Sequence, residues 1–116
     1  HPKVSWVNYP GLADNRFRAR VAELFAGCGG GLLTFGLGGK REVFKFIDSL
    51  RLAKNMANLG DAKTLVIHPA STIFHEFSAD EQRGMGVTEE MVRVSVGIED
   101  FEDIRADFER AIDKSL

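Results

Sequence analysis

Residue types that point to specialised classes of protein are scarce in this 116-residue chain. It has one cysteine, Cys28, so no disulfide can form within it, and we interpret that residue as a small packing residue in a protein of a reducing compartment. The net charge is −2, without the basic stripe of a nucleic-acid-binding protein. No apolar run approaches the roughly 18 residues of a membrane helix. We therefore expect a cytoplasmic protein with neither nucleic acid nor membrane as a partner.

The remaining composition is that of an ordinary globular domain. Hydrophobic residues make up 44% of the chain and charged residues 28%. A chain of this length can bury one core. It opens on His1-Pro2 without an initiator methionine or a signal peptide, and strand-type residues follow at once. We interpret residues 1–116 as a single domain cut from a longer protein.

The order of apolar patterns predicts strands and helices in alternation. Strands are expected at 3–9, 31–37, 64–68 and 91–97, and helices at about 14–25, 40–55, 78–83 and 100–114. Ser78 and Glu81 have the spacing of a capping box. Only residues 64–67 are continuously apolar, which argues against a doubly wound parallel sheet. The predicted fold class is α+β, an open, largely antiparallel four-stranded sheet with helices on one face.

The glycine clusters do not have the spacing of phosphate-binding loops. Gly27 and Gly29 would need a third glycine where the chain has Leu32, so the dinucleotide-binding pattern is absent. The later pair at 38–39 precedes Lys40 and Arg41 and does not fit the phosphate-loop motif of nucleotide-hydrolysing enzymes. These glycines are predicted to form turns and strand ends.

Other polar residues are also better explained as structure than as chemistry. The three histidines lack metal-ligand spacing, and His68, which precedes Pro69, is interpreted as a partner of a loop carbonyl. Ser71 has no His or Asp partner that spacing nominates, although a triad assembled in space stays open. The acidic run at 99–103 begins the last predicted helix, where carboxylates favour the helix dipole. No metal site is predicted.

Arg93 is the residue whose interpretation decides the function. It lies in a strand where alternate valines face one side while Arg93 and Ser95 face the other. A guanidinium is always charged and presents a planar fork of donors that suits a carboxylate or a phosphate. The pattern alone leaves two interpretations open, an exposed strand charge or an anion receptor.

Three blocks of sequence together resemble a known family. They read NLGDAKTLVIHPAST at 58–72, GVT at 86–88 and VRVSVGIED at 92–100. This combination resembles the C-terminal domain of the Cys/Met-metabolism family of pyridoxal-phosphate (PLP) enzymes. Within this family, the chain is most similar to the O-acetylhomoserine sulfhydrylase branch. The similarity lies in the segments HPKV at 1–4, YPGL at 9–12 and LTFG at 33–36, and in the Asn at position 58. The resemblance covers essentially the whole chain.

The resemblance implies a function and a substrate-binding site. Members of that branch use PLP to replace the acetyl group of O-acetylhomoserine with sulfide or a thiol, in methionine biosynthesis and transsulfuration. By resemblance, Arg93 grips the α-carboxylate of the amino-acid substrate, Asn58 lines the same pocket and Leu59 contributes backbone. Many members continue the HPAS block with a threonine near the substrate, whereas this chain has Ile73 and Phe74. That contact is not carried over.

The resemblance also implies what this chain lacks. The family's Schiff-base lysine lies in a large N-terminal domain, in a Ser-x-Thr-Lys context that does not occur in these 116 residues. No catalytic or cofactor-binding residue is therefore expected here, and the isolated chain should be inactive. PLP would be bound by the chain's own N-terminal domain, and the full-length enzyme is expected to be a homotetramer.

Three alternatives remain at this point. The chain could be a freestanding regulatory module that binds an amino acid. It could belong to another member of the family, such as a cystathionine γ-synthase or a methionine γ-lyase. It could also be an interaction domain that docks through the open face of its sheet.

Overall fold

The chain forms one mixed sheet and four α-helices over residues 1–115, the part that this computed structural model describes. The strands are β1 (Trp6–Asn8), β2 (Leu32–Gly36), β3 (Lys54–Asn55), β4 (Leu65–Ile67) and β5 (Met91–Ser95). The helices are α1 (Arg18–Phe25), α2 (Lys40–Ser49), α3 (Ala79–Gly84) and α4 (Phe101–Ser115), with a short 3-10 turn at Pro69–Ser71.

Strand β5 lies in the middle of the sheet, whose strand order is β1-β2-β5-β4-β3. It pairs antiparallel with β2 on one side and with β4 on the other, so that Thr34 and Ile67 both lie opposite Arg93. The β3–β4 pair is parallel. The α+β class and the largely antiparallel sheet are confirmed.

Helices α2 and α4 cover one face of the sheet and form the core with it. The valines of β5 are buried on this face, as the period-two pattern predicts. Phe46 of α2 is fully buried, and its ring meets those of Phe35 and Phe108 edge-on at centroid distances of 5.6 and 5.4 Å. Each buried side chain of this size contributes about 1.5–3 kcal/mol. The arginine face of β5 lies on the opposite side of the sheet.

The main error of the sequence prediction lies after α2. The helix was expected to reach about residue 55, but it ends at Ser49, and Lys54–Asn55 forms a fifth strand in place of the predicted four. The cause is Asp107 of α4, whose carboxylate accepts hydrogen bonds from the backbone N–H groups of Arg51, Leu52 and Ala53 at 2.9, 2.9 and 3.1 Å. These bonds stabilise the bend at residues 51–53, which leads from the helix into β3.

The start of the chain also differs from the prediction. The first helix was expected from about residue 14 and begins at Arg18, because the Asn15 side chain caps a turn, its Oδ1 accepting from the N–H of Phe17 at 2.9 Å. Cys28 is exposed, so its interpretation as a packing residue is wrong. The capping box is confirmed: Ser78 N donates to the Glu81 carboxylate at 2.8 Å, and Glu81 N donates to Ser78 Oγ.

Replacing Asp107 should test how strongly its carboxylate holds the segment after α2. Asp107→Ala removes the acceptor of three backbone N–H groups and is expected to lower the free energy of unfolding by about 2–4 kcal/mol in urea denaturation. Glu109→Ala, on the exposed side of the same helix, should change it by less than about 0.5 kcal/mol. Equal effects of the two substitutions would contradict this role of Asp107.

Candidate functional site

The open face of β5 places Arg93 beside the loop that joins β3 to β4. Arg93 is half-buried, and one of its terminal nitrogens donates to the backbone carbonyl of Asn58 at 3.3 Å. The structure therefore brings together two of the residues that the sequence singled out, Arg93 and Asn58. They are 35 positions apart in the chain. We call residues 56–64 the crossover loop, since they connect two parallel strands.

The next polar residue of the same face, Ser95, holds the middle of the crossover loop. Its Oγ accepts from the N–H of Gly60 at 3.3 Å. Gly60 has a φ of +65°, a left-handed conformation that glycine adopts without strain. The preceding Leu59 is exposed and donates its N–H to its neighbour's side chain, Asn58 Oδ1, at 2.9 Å. Leu59 therefore contributes its backbone to the loop, whereas its side chain faces outward.

Residues after β5 hold the end of the crossover loop. Glu99 accepts from the backbone N–H and from the hydroxyl of Thr64, both at 2.7 Å. The N–H of Ile98 donates to the carbonyl of Ala62 at 2.9 Å. Any side chain at position 97 would overlap that carbonyl oxygen, so the close approach requires Gly97. Thus β5 and the residues after it hold the loop at several points along its length.

These bonds lower the pKa of the Glu99 carboxyl group. Burial raises the pKa of Glu99, but the hydrogen bonds from the backbone and the side chain of Thr64 outweigh this, and the pKa lies below its ordinary value. The acidic run was predicted to favour the start of the last helix, and Asp100 does so by accepting from the N–H of Glu102 at 2.9 Å. The different role of Glu99 was missed, because its partner lies 35 positions away.

His68 has a structural role, as the sequence indicates, but it also has a serine partner. Its ring is buried, with 2% exposed, and its Nε2 lies 2.9 Å from the carbonyl oxygen of Glu89. A carbonyl only accepts, so Nε2 carries the proton and Nδ1 accepts from Ser71 Oγ at 2.7 Å. The sequence spacing had not predicted a partner for Ser71.

No cluster of three or more potential metal ligands occurs among residues 1–115, and no helix in that range is long and apolar enough to cross a membrane.

Two cavities lie on opposite faces of the sheet. One of about 240 Å³ adjoins the crossover loop and is lined by Leu59, Gly60 and Ser95, among others. A more apolar one of about 350 Å³ lies between the sheet and α4, with Phe101 and Phe108 in its lining. Because Arg93 lies on the face opposite α4, the larger cavity does not adjoin Arg93.

Comparison with known proteins identifies the family of the chain. Residues 1–113 match the model of the Cys/Met-metabolism PLP-dependent enzyme family. The chain belongs to this family. It is 48% identical over 112 residues to O-acetyl-L-homoserine sulfhydrylase 1 of Thermus thermophilus, and 45% identical over 115 residues to the homocysteine synthase of Schizosaccharomyces pombe. These alignments cover 96% and 97% of the chain but only 27% of each relative.

The fold is shared with an enzyme named for another reaction. The crystal structure of cystathionine gamma-lyase from yeast superposes with a TM-score of 0.93 at 32% identity, over 97% of this chain and 29% of that one. The resemblance drawn from the three sequence blocks is therefore confirmed at the level of the family. Since one fold serves several reactions, the particular reaction has to be argued from the site.

The residues described do not fit a PLP site, although the family depends on that cofactor. PLP enzymes hold the cofactor through a lysine that forms a Schiff base with it, and no lysine lines either cavity described above. Lys3 and Lys40 instead pair with acidic residues, Asp113 at 3.7 Å and Glu89 at 3.6 Å. Lys63, in the crossover loop, is exposed. Within residues 1–115 we assign no residue to the cofactor.

The bonds of Glu99 predict an acid-dependent loss of stability. Because folding lowers the Glu99 pKa, its contribution is complete above the ordinary value of 4.5 and is lost as the pH falls through the lower folded value. The difference in unfolding free energy between wild type and Glu99→Gln should therefore be largest above about pH 5 and shrink on acidification.

Urea denaturation at a series of pH values measures that difference. The matched control is Glu102→Gln, which alters an exposed carboxylate near the start of α4 and should give a small difference. A difference for Glu99→Gln that stays constant between pH 3 and pH 6, roughly the range spanned by carboxyl titration, would show that its ionisation does not stabilise the fold.

Proposed function

We propose that this chain is the C-terminal, substrate-carboxylate-binding domain of a longer PLP-dependent O-acetylhomoserine sulfhydrylase. That enzyme replaces the acetyl group of its substrate with sulfide or a thiol and forms homocysteine or methionine. The observation that carries the proposal is Arg93, whose guanidinium lies on the open sheet face and is held from one side by the carbonyl of Asn58.

The geometry of Arg93 suits a carboxylate. A guanidinium has five N–H donors, and among residues 1–115 the Asn58 carbonyl is the described acceptor for one of them. The rest of the fork can bind both oxygens of a carboxylate, which fixes the position and the plane of an amino acid. Asn58 lines the pocket in this proposal, and Leu59 contributes backbone next to it. Arg93 binds and orients the substrate, and the bond-making groups and the cofactor belong to a separate N-terminal domain.

The relatives support the proposed reaction and the division into domains. The two sequence relatives are named for sulfhydrylase and homocysteine synthase activities, and the chain spans about a quarter of their length. A homotetrameric, cytoplasmic enzyme with an amino acid as its small-molecule substrate is part of the same proposal.

Substitution of Arg93 in the complete enzyme tests the carboxylate role. Arg93→Ala should lower kcat/KM for O-acetylhomoserine by the equivalent of about 2–5 kcal/mol, as expected when one partner of a bound charge pair is lost. Arg93→Lys keeps the charge but not the planar fork of donors, so its kcat/KM should lie between those of Arg93→Ala and wild type. The control Arg105→Ala removes an exposed arginine of α4 and should leave kcat/KM unchanged. Wild-type kcat/KM in Arg93→Ala would refute the proposal.

The 116-residue chain by itself should retain no cofactor and show no sulfhydrylase activity. After the chain is mixed with PLP and dialysed, its absorbance at wavelengths longer than the protein absorption band should return to that of the chain alone. Calorimetry with methionine and homoserine esters should detect only weak binding, because half of the site is missing. Micromolar binding by the isolated chain would instead favour a freestanding amino-acid-binding module.

A further inference from the structure

Ser95 is a buried hydroxyl in apolar surroundings. It is 5% exposed, and the residues opposite it on the neighbouring strands are Leu32 and Leu65. A hydroxyl in such a place costs free energy unless it is hydrogen-bonded. Its described partner is the N–H of Gly60, in the crossover loop. Packing alone would be served as well by a small apolar side chain, so this hydrogen bond is what distinguishes serine at position 95.

The bond to Gly60 is coupled to Arg93 through a closed ring of contacts. Arg93 and Ser95 are two residues apart on one strand, so their side chains project from the same face. Asn58 and Gly60 are likewise two residues apart in the loop. Arg93 contacts the carbonyl of Asn58 at 3.3 Å, and Ser95 contacts the N–H of Gly60 at 3.3 Å. The loop backbone that holds the guanidinium is therefore itself held by Ser95.

We infer that Ser95 is a positioning residue for carboxylate binding: it fixes the loop carbonyl of Asn58 and so orients the Arg93 guanidinium before the ligand arrives. This inference rests on the proposed function. Ser95 does not touch the ligand and acts through Gly60 and Asn58. Without the Ser95 hydroxyl, the guanidinium becomes ordered only when the ligand binds. The entropy cost of that ordering lowers the affinity.

The test compares two ligands of the complete enzyme that differ in the carboxylate. Homoserine has the carboxylate, and homoserinol carries an alcohol in its place. Ser95→Ala should raise the Kd of homoserine by about three- to tenfold, the range for one neutral hydrogen bond. The Kd of homoserinol should stay within about twofold of its wild-type value. Equal weakening of both ligands would mean a general structural role and would overturn the inference.

A double-mutant cycle with Arg93 makes the test more specific. In an Arg93→Ala background, Ser95→Ala should cause no further loss of homoserine affinity, because the group that it positions is gone. Independent, multiplicative losses would overturn the inference. The matched control Ser71→Ala removes a hydroxyl that bonds His68 and should not change the ratio of the two affinities.

The cycle also separates this inference from the proposed function. If Arg93→Ala leaves the preference for homoserine over homoserinol unchanged, the carboxylate role of Arg93 fails, and the inference fails with it. If Arg93→Ala abolishes the preference while Ser95→Ala behaves as wild type, only the inference fails. Thermal unfolding of each variant shows whether binding was measured on folded protein.

Discussion

The alternating sequence of strand β5 has to fit two environments, the apolar core on one face of the sheet and the crossover loop on the other. Its valines complete the core under α2 and α4, and its polar residues hold the crossover loop on the other face. A slip of one residue in its pairing would exchange the two faces and place the Arg93 charge among apolar side chains, which is very unfavourable. Burial of Val92 and Val94 and solvation of Arg93 therefore enforce the same register. Strands β2 and β4 take their positions from it.

Features that depend on local sequence could be predicted, and features that depend on distant partners could not. The β5 strand and the capping box of α3 follow from spacings of two and three residues. Strand β3 has no sequence signal, because the bend that leads into Lys54–Asn55 is held by a carboxylate at position 107. A helical stripe cannot indicate where such a remote hydrogen bond will end it.

The same distinction applies to the candidate site. Arg93 stood out in the sequence because a charge interrupts a strand, but the pattern left its role open between surface charge and anion receptor. Its partner Asn58 was nominated by the resemblance alone, and the structure then placed the two in contact. The parts that Ser95 and Glu99 have in holding the crossover loop could not be predicted, since serine in a strand and glutamate before a helix are ordinary residues there.

The crossover loop has a geometric consequence for how such a site can change. A chain that joins two parallel neighbours must pass over one face of the sheet. Helices α2 and α4 occupy one face, and the contacts of the loop with Arg93 and Ser95 show that it crosses the other. It does so without a helix of its own. Its length thus determines which carbonyl reaches the arginine, so an insertion or deletion between 56 and 64 would present a different carbonyl to Arg93 while the strands of the sheet stayed the same.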